Sequence, residues 1–151
     1  MPSASMSSPI GPLTVVSDGS AITALQWGEG GTQDTTPELT EALAQLAAYF
    51  RGGLTRFDLP LNVGGSEFQR RVCDAMREIP FGETVTYGDL ATRMGASPQA
   101  IGNACGGNPI PVIIPCHRVL AASGLGGYSG EGGVETKVWL LRHEGAAGLL
   151  I

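Results

Sequence analysis

Residues 109–120 read Pro-Ile-Pro-Val-Ile-Ile-Pro-Cys-His-Arg-Val-Leu. No other stretch narrows the possible folds as much. The prolines at 109, 111 and 115 rule out a helix, because each lacks an amide hydrogen and fixes its own φ. The aliphatic residues between them have to leave water. The stretch therefore reads as a buried, strand-like run held between prolines. It ends by placing a thiol, an imidazole and a guanidinium in succession, at Cys116, His117 and Arg118.

The rest of the chain supplies the elements that could surround such a run. Leu13 to Val16 is β-rich, Asp18-Gly19 is a turn pair, and Ile22 to Trp27 follows as a second strand. Thr36 is placed to cap a helix opened by Pro37, with Leu39, Leu43, Leu46 and Phe50 at helical spacing. A second helix is predicted over 66–79, capped by Ser66, with Phe68, Val72, Ala75, Met76 and Ile79 as its inner stripe. Tyr87 to Met94 and a short helix from Ser97-Pro98 are separated by Gly95, a helix-turn-helix pattern. By itself that pattern is weak, since many helical proteins contain such a pair. A Gly-rich loop then leads to a last helix, with Val134, Val138, Leu141 and Trp139 expected on its inner side.

A free thiol has a pKa near 8.5, so little of it is thiolate at neutral pH. A neighbouring base raises the nucleophilic fraction. His117 is adjacent in sequence to Cys116, and adjacent side chains often point apart, so a bridging water is expected between them. A third group should hold the imidazole, and Glu144 at the end of the last helix is the candidate. Cys73 and Cys105 read as buried small hydrophobes. His143 reads as an exposed residue near a helix C-terminus. Arg118 reads either as a plain surface charge or as part of an internal ion pair. The cysteines and histidines show no CxxC or HxxxH spacing, so no zinc site is expected.

An odd count of three cysteines, and no basic-then-apolar leader, argue for a cytoplasmic, reducing location. No apolar run approaches the roughly 20 residues of a membrane helix, so no membrane association is expected. The net charge of −5 weighs against a nucleic-acid partner, but its distribution matters more. The acid lies mostly before residue 66, where Asp18, Glu29, Asp34, Glu38, Glu41 and Asp58 face only Arg51 and Arg56. Residues 66–118 are balanced, so an anionic partner would meet the second part of the chain.

Asn-Pro followed by Pro-Cys-His-Arg-Val resembles the active-site signature of the O6-alkylguanine-DNA alkyltransferases, the methylated-DNA–protein-cysteine methyltransferases. The segments "IPFGETVTYGDLA", "GGYSG" and "VETKVWLLRHEGA" resemble the flanking segments in the family's order, from about residue 66 to residue 146. "SPIGPLTVV" resembles the family's first strand more weakly. The resemblance implies an α/β (α+β) fold. A small N-terminal β-sheet lobe with a helix, residues 1–60, would pack on a mostly helical lobe, residues 61–151, containing a winged helix-turn-helix. It implies DNA repair by irreversible, single-turnover transfer of an alkyl group from O6-alkylguanine, and from O4-methylthymine, to Cys116. His117 and Glu144 would draw off the thiol proton. Asn108 would tie the helix-turn-helix to the thiol segment, and Tyr87 would donate a proton to the leaving guanine. Backbone carbonyls at Cys116 and Val119 would hold the base, with Tyr128 and Ser129 closing over it. Gln99, Ala100 and Gly102 would lie on a recognition helix in the minor groove of double-stranded DNA, with Gln69, Arg70 and Arg118 as further contacts. The base must leave the stack to be reached. The protein would act as a monomer without cofactor or metal.

The chain departs from the family at Gln99, where the family usually has an arginine that fills the space of the flipped base. Val72-Cys73 also lacks a tryptophan common there. Gln99 keeps a second reading open, a non-enzymatic protein that binds alkylguanine and marks it for another pathway. A third reading, an acidic interaction module with an incidental Pro-Cys-His-Arg, predicts neither DNA binding nor thiol reactivity.

Overall fold

The computed structural model describes residues 1–128, 130 and 132–146. Two compact units share the chain. The first takes residues 1–64 and 109–113; the second takes 65–108 and the described residues from 114 onward.

In the first unit, β1 (Ser3–Met6), β2 (Leu13–Ser17) and β3 (Ile22–Trp27) form an antiparallel sheet in that order. The Asp18 carboxylate closes the β2–β3 turn by accepting from the amides of Ser20 and Ala21, each at 2.9 Å. Strand β1 was not expected. Its Ser-Ala-Ser-Met sequence has little strand preference, and it forms by pairing along the open edge of β2, Ser3 opposite Val16 through Met6 opposite Leu13. Leu13 and Val15 of β2 are buried where α1 (Pro37–Phe50) packs on the sheet. The helix contributes Leu39, Ala42, Leu46 and Tyr49 to the core, while the expected Leu43 and Phe50 are half-buried. Thr36 stands at the cap position but makes no capping bond to the helix amides. Its hydroxyl donates instead to Glu38 Oε2 at 2.5 Å, an oxygen that also accepts from Ser17 Oγ at 2.6 Å.

The second unit is mostly helical. Ser66 caps α2 (Glu67–Arg77), accepting from the Gln69 amide at 3.0 Å, and Val72, Cys73, Ala75 and Met76 are buried. Thr86 and Asp89 form a reciprocal capping box at the start of α3 (Tyr87–Met94). Gly95, at φ 66° and ψ 37°, ends that helix in the left-handed conformation that favours glycine. Ser97 caps α4 (Pro98–Gly106), which packs on both α3 and α2. β4 (Val85–Thr86) runs parallel to β5 (Val119–Leu120), Val85 opposite Val119. That pairing sets the start of α3 beside the end of the Cys-His-Arg segment.

Two expectations need correction. The proline-flanked run is buried throughout 110–119, but it is not a strand. Val112, at φ 73°, turns the chain, and Cys116–Arg118 form one turn of 3-10 helix before β5. The last helix, α5 (Val134–His143), buries Thr136, Lys137, Leu140 and Leu141; Val134 is exposed, and Val138 and Trp139 are half-buried. No described helix is long and apolar enough to cross a membrane.

Candidate active site

The 3-10 turn carries Cys116 to the wall of a cleft of about 460 Å³. Tyr87, Gly102, Cys105, Gly106, Gly127 and Tyr128 line it as well. Burial pushes the Cys116 thiol up to about 11, against a hydrogen bond from Asn108 and the positive charge of Lys137, which pull it down. The resting thiol is therefore neutral at physiological pH and needs a base to become a nucleophile.

A base lies next to it in sequence. His117 is fully buried, and its Nε2 is 2.8 Å from Glu144 Oε2. Arg118 grips the same carboxylate with two bonds, Nε to Oε1 at 2.8 Å and Nη2 to Oε2 at 2.9 Å. The third arm of the guanidinium donates to the Ile79 carbonyl at 2.6 Å, and Arg118 Cζ lies 5.9 Å from the Phe81 ring centre. Burial alone would raise the Glu144 carboxyl. The bonds from His117 and Arg118 outweigh that and hold it well below the ordinary carboxylate range. An ionised carboxylate only accepts, so Nε2 carries the imidazole proton and Nδ1 presents its lone pair. Among the described residues, buried Nδ1 finds no hydrogen-bond partner. Burial lowers the His117 pKa, which leaves the ring neutral and able to take a proton.

Asn108, just beyond α4, donates from Nδ2 to the Ile114 carbonyl at 2.9 Å as well as bonding the thiol, so it ties the helix-turn-helix to the thiol segment. Tyr87 opens α3 at the cleft and packs on Gly126; a Cβ there would sit 2.9 Å from Tyr87 Cε2. Tyr128 lines the cleft, and burial raises its hydroxyl pKa. Ser129 lies outside the described residues. On α4, Gln99 is exposed, Ala100 is half-buried, and Gly102 faces the cleft. Gln69 donates to the Ala104 carbonyl at 2.8 Å and so clamps α2 to α4. Arg70 is exposed and bonds the Gly65 carbonyl at 2.7 Å. Arg118, by contrast, is buried in the Glu144 network. Cys73 and Cys105 are buried as expected, although Cys105 also reaches the cleft. His143 is half-buried and stacks on Trp139 at 4.9 Å.

Sequence reasoning missed Lys137. It is fully buried, and its ammonium donates to the Val119 carbonyl at 2.7 Å and the Gly127 carbonyl at 3.0 Å. A signal was present: Lys137, Leu140, Leu141 and Glu144 follow the i, i+3, i+4, i+7 spacing of one helix face.

Comparison with known proteins places two family descriptions on the chain. Residues 67–146 match the 6-O-methylguanine DNA methyltransferase DNA-binding domain, and residues 1–63 match the ribonuclease-like domain of the same name. A methylated-DNA–protein-cysteine methyltransferase of Mycobacterium bovis is 46% identical over 147 residues, covering 91% of this chain and 88% of that one. A protein of the same name from Salmonella typhimurium is 38% identical, covering 93% of each. Among solved structures, the Mycobacterium tuberculosis OGT in complex with DNA superposes with a TM-score of 0.86 at 43% identity. The match covers 96% of this chain and 93% of that one.

Proposed function

The chain belongs to the 6-O-methylguanine DNA methyltransferase family and is an enzyme of that kind, and from this premise we infer that Cys116 is the residue that accepts the alkyl group. The observation that carries the assignment is a thiol on a cleft wall, followed in sequence by a neutral histidine whose far nitrogen is held by an ionised glutamate.

The reaction follows from that arrangement. His117 Nδ1 takes the thiol proton, through a water. The thiolate sulfur attacks the alkyl carbon on guanine O6; the S–C bond forms as the C–O6 bond breaks, and the bonding pair leaves with the purine. Tyr87, held in its phenol form because burial raises its pKa, supplies the proton that neutralises the leaving base. The product is a thioether, and none of the described residues lining the cleft is able to cleave it, so each molecule would react once. The same geometry would accept O4-methylthymine, whose alkyl carbon is bonded to an exocyclic oxygen of the base in the same way.

The target carbon is inaccessible within a duplex, so the nucleotide has to be flipped out. Helix α4 suits the minor groove because Ala100 and Gly102 allow close approach, with Gln99 exposed to occupy the space left behind. Contacts of this sort read shape and phosphates rather than sequence, which suits a lesion that arises anywhere. The enzyme would act on double-stranded DNA as a cytoplasmic monomer. Three free thiols fit a reducing compartment.

Incubation with a duplex carrying O6-methylguanine, followed by peptide mapping, tests the assignment. One methyl group is expected on Cys116 and none on Cys73 or Cys105. Lesion binding without transfer, or transfer persisting in Cys116→Ser, would overturn it.

A further inference from the structure

Cys105 has no part in the reaction above, yet it lines the same cleft as Cys116. It stands in the last turn of α4, and Asn108 connects that turn to the thiol segment. The Cys105 carbonyl accepts from the Asn108 amide at 3.2 Å, and Asn108 Nδ2 donates to the Ile114 carbonyl at 2.9 Å. The Cys116 amide donates to that same carbonyl at 2.8 Å, and the Asn108 side chain bonds the Cys116 thiol. The third thiol, Cys73, is buried on α2, with Gln69 Nε2 3.5 Å from its sulfur. It is not one of the residues lining the cleft. We propose that Cys105 is a resolving thiol for Cys116: under peroxide the two form a reversible disulfide, which shelters the reactive sulfur from irreversible oxidation. The benefit to repair rests on Cys116 being the acceptor.

A thiol that acts once is lost if it is oxidised past the sulfenic acid, because the sulfinic and sulfonic acids are not reduced by ordinary thiols. Hydrogen peroxide is little larger than water and enters a cleft of about 460 Å³. His117 takes the Cys116 proton as in alkyl transfer, and the sulfur attacks a peroxide oxygen. The S–O bond forms as the O–O bond breaks, and the departing hydroxide takes the proton and leaves as water. The Cys105 sulfur then attacks the sulfenic sulfur. The S–S bond forms as the S–O bond breaks, and that hydroxide leaves as water with the Cys105 proton. The two thiols together lose two electrons, and one peroxide becomes two waters. A dithiol reverses the bridge by exchange, so it is transient in a reducing compartment. Burial pushes Cys105 up to about 12 and Cys116 up to about 11, but Cys116 has a base beside it and is oxidised first. Gly106 and Gly107 follow Cys105 directly. A Cβ at Gly106 would meet no atom within 4 Å, so the backbone has room to shift as the bridge closes.

The test exposes the intact protein to excess hydrogen peroxide, blocks open thiols with iodoacetamide in denaturant, and maps tryptic peptides without reductant. No lysine or arginine lies between Arg93 and Arg118, so Cys105 and Cys116 share one peptide and Cys73 falls in another. The shared peptide should be lighter by two hydrogens and unalkylated, while the Cys73 peptide is alkylated. Dithiothreitol should restore both alkylation and methyl transfer. In Cys105→Ala the same treatment should carry Cys116 to its sulfinic or sulfonic acid, and dithiothreitol should restore none of that variant's own starting activity. Wild-type Cys116 found as sulfinic acid beside an alkylated Cys105 would overturn the proposal. So would both thiols remaining open to iodoacetamide, a bridge to Cys73, or full recovery of Cys105→Ala. If Cys105→Ala does not fold, the wild-type map decides alone. Because the map needs no DNA, failure here is separate from failure of methyl transfer to Cys116, which would strike the function itself.

Discussion

Glu144 serves two buried donors at once, and its charge determines what each can do. It keeps the His117 proton on Nε2 and balances the Arg118 guanidinium. Glu144→Gln keeps the shape but loses the charge. Transfer from an O6-methylguanine duplex should then slow by about 10²–10⁴-fold, the usual worth of a positioned general base. Stability should fall by about 3–5 kcal/mol, because Arg118 is left buried without its counter-ion. Single-turnover kinetics and urea unfolding measure the two effects separately. A variant that loses stability but keeps its rate would remove Glu144 from the proton path.

The helix-turn-helix depends on local backbone chemistry that the sequence spells out: a capping box at Thr86, glycine at 95 and a serine cap at 97. Gly95→Ala forces a Cβ into the left-handed region and should cost about 1–2 kcal/mol in chemical unfolding. The exposed tip of α4 carries a different prediction. Glutamine lacks the charge and the planar fork of arginine. Gln99→Arg should therefore speed repair of duplex DNA while hardly changing reaction with free O6-benzylguanine. An equal gain on both substrates would mean that Gln99 acts on the cleft rather than on base flipping.

Over the whole molecule, buried ionisable groups set the response to acid. The folded pKa of His117 is below the ordinary 6.5, so the unfolded chain binds the extra proton first, and stability falls as pH drops from about 6.5. Glu144 is also depressed; its contribution is present above the ordinary 4.5 and is lost as pH falls further. The urea midpoint should therefore be lower at pH 5.5 than at pH 7.5, with a slope of up to about 1.4 kcal/mol per pH unit for each group titrating. An unchanged midpoint would mean that His117 is not held neutral. Charge also bounds the DNA affinity. The chain is net −5, Arg118 and Lys137 are committed inside, and Arg93 pairs with Glu78 at 2.7 Å. Arg70, Arg71 and Arg77 are the exposed arginines left in residues 66–118, so about three phosphates would be neutralised and the slope of log K against log salt should be near −3, shallow for a DNA-binding protein.

Contiguous chemistry was readable from the chain alone. The Cys-His-Arg run, the helix caps and the α3–α4 turn depend on neighbours in sequence, where residue type directly limits φ, ψ and hydrogen bonding. Glu144 was legible only because a buried imidazole requires a partner and the last helix offers one. Features joining distant residues were not legible. β1 has no intrinsic strand preference and exists because β2 leaves an edge. The apolar run reads as extended, yet Val112 turns it. Lys137 looks like a solvated charge, and Arg118 reads equally as a surface charge or an internal ion pair, until packing encloses them, since a cation's burial is fixed by the carboxylate or carbonyls that meet it across the fold. The sequence by itself determined which groups are on offer for the proposed chemistry. The tertiary structure decided the protonation state in which they wait, because that depends on desolvation and on charges brought together from 18 to 27 residues away along the chain.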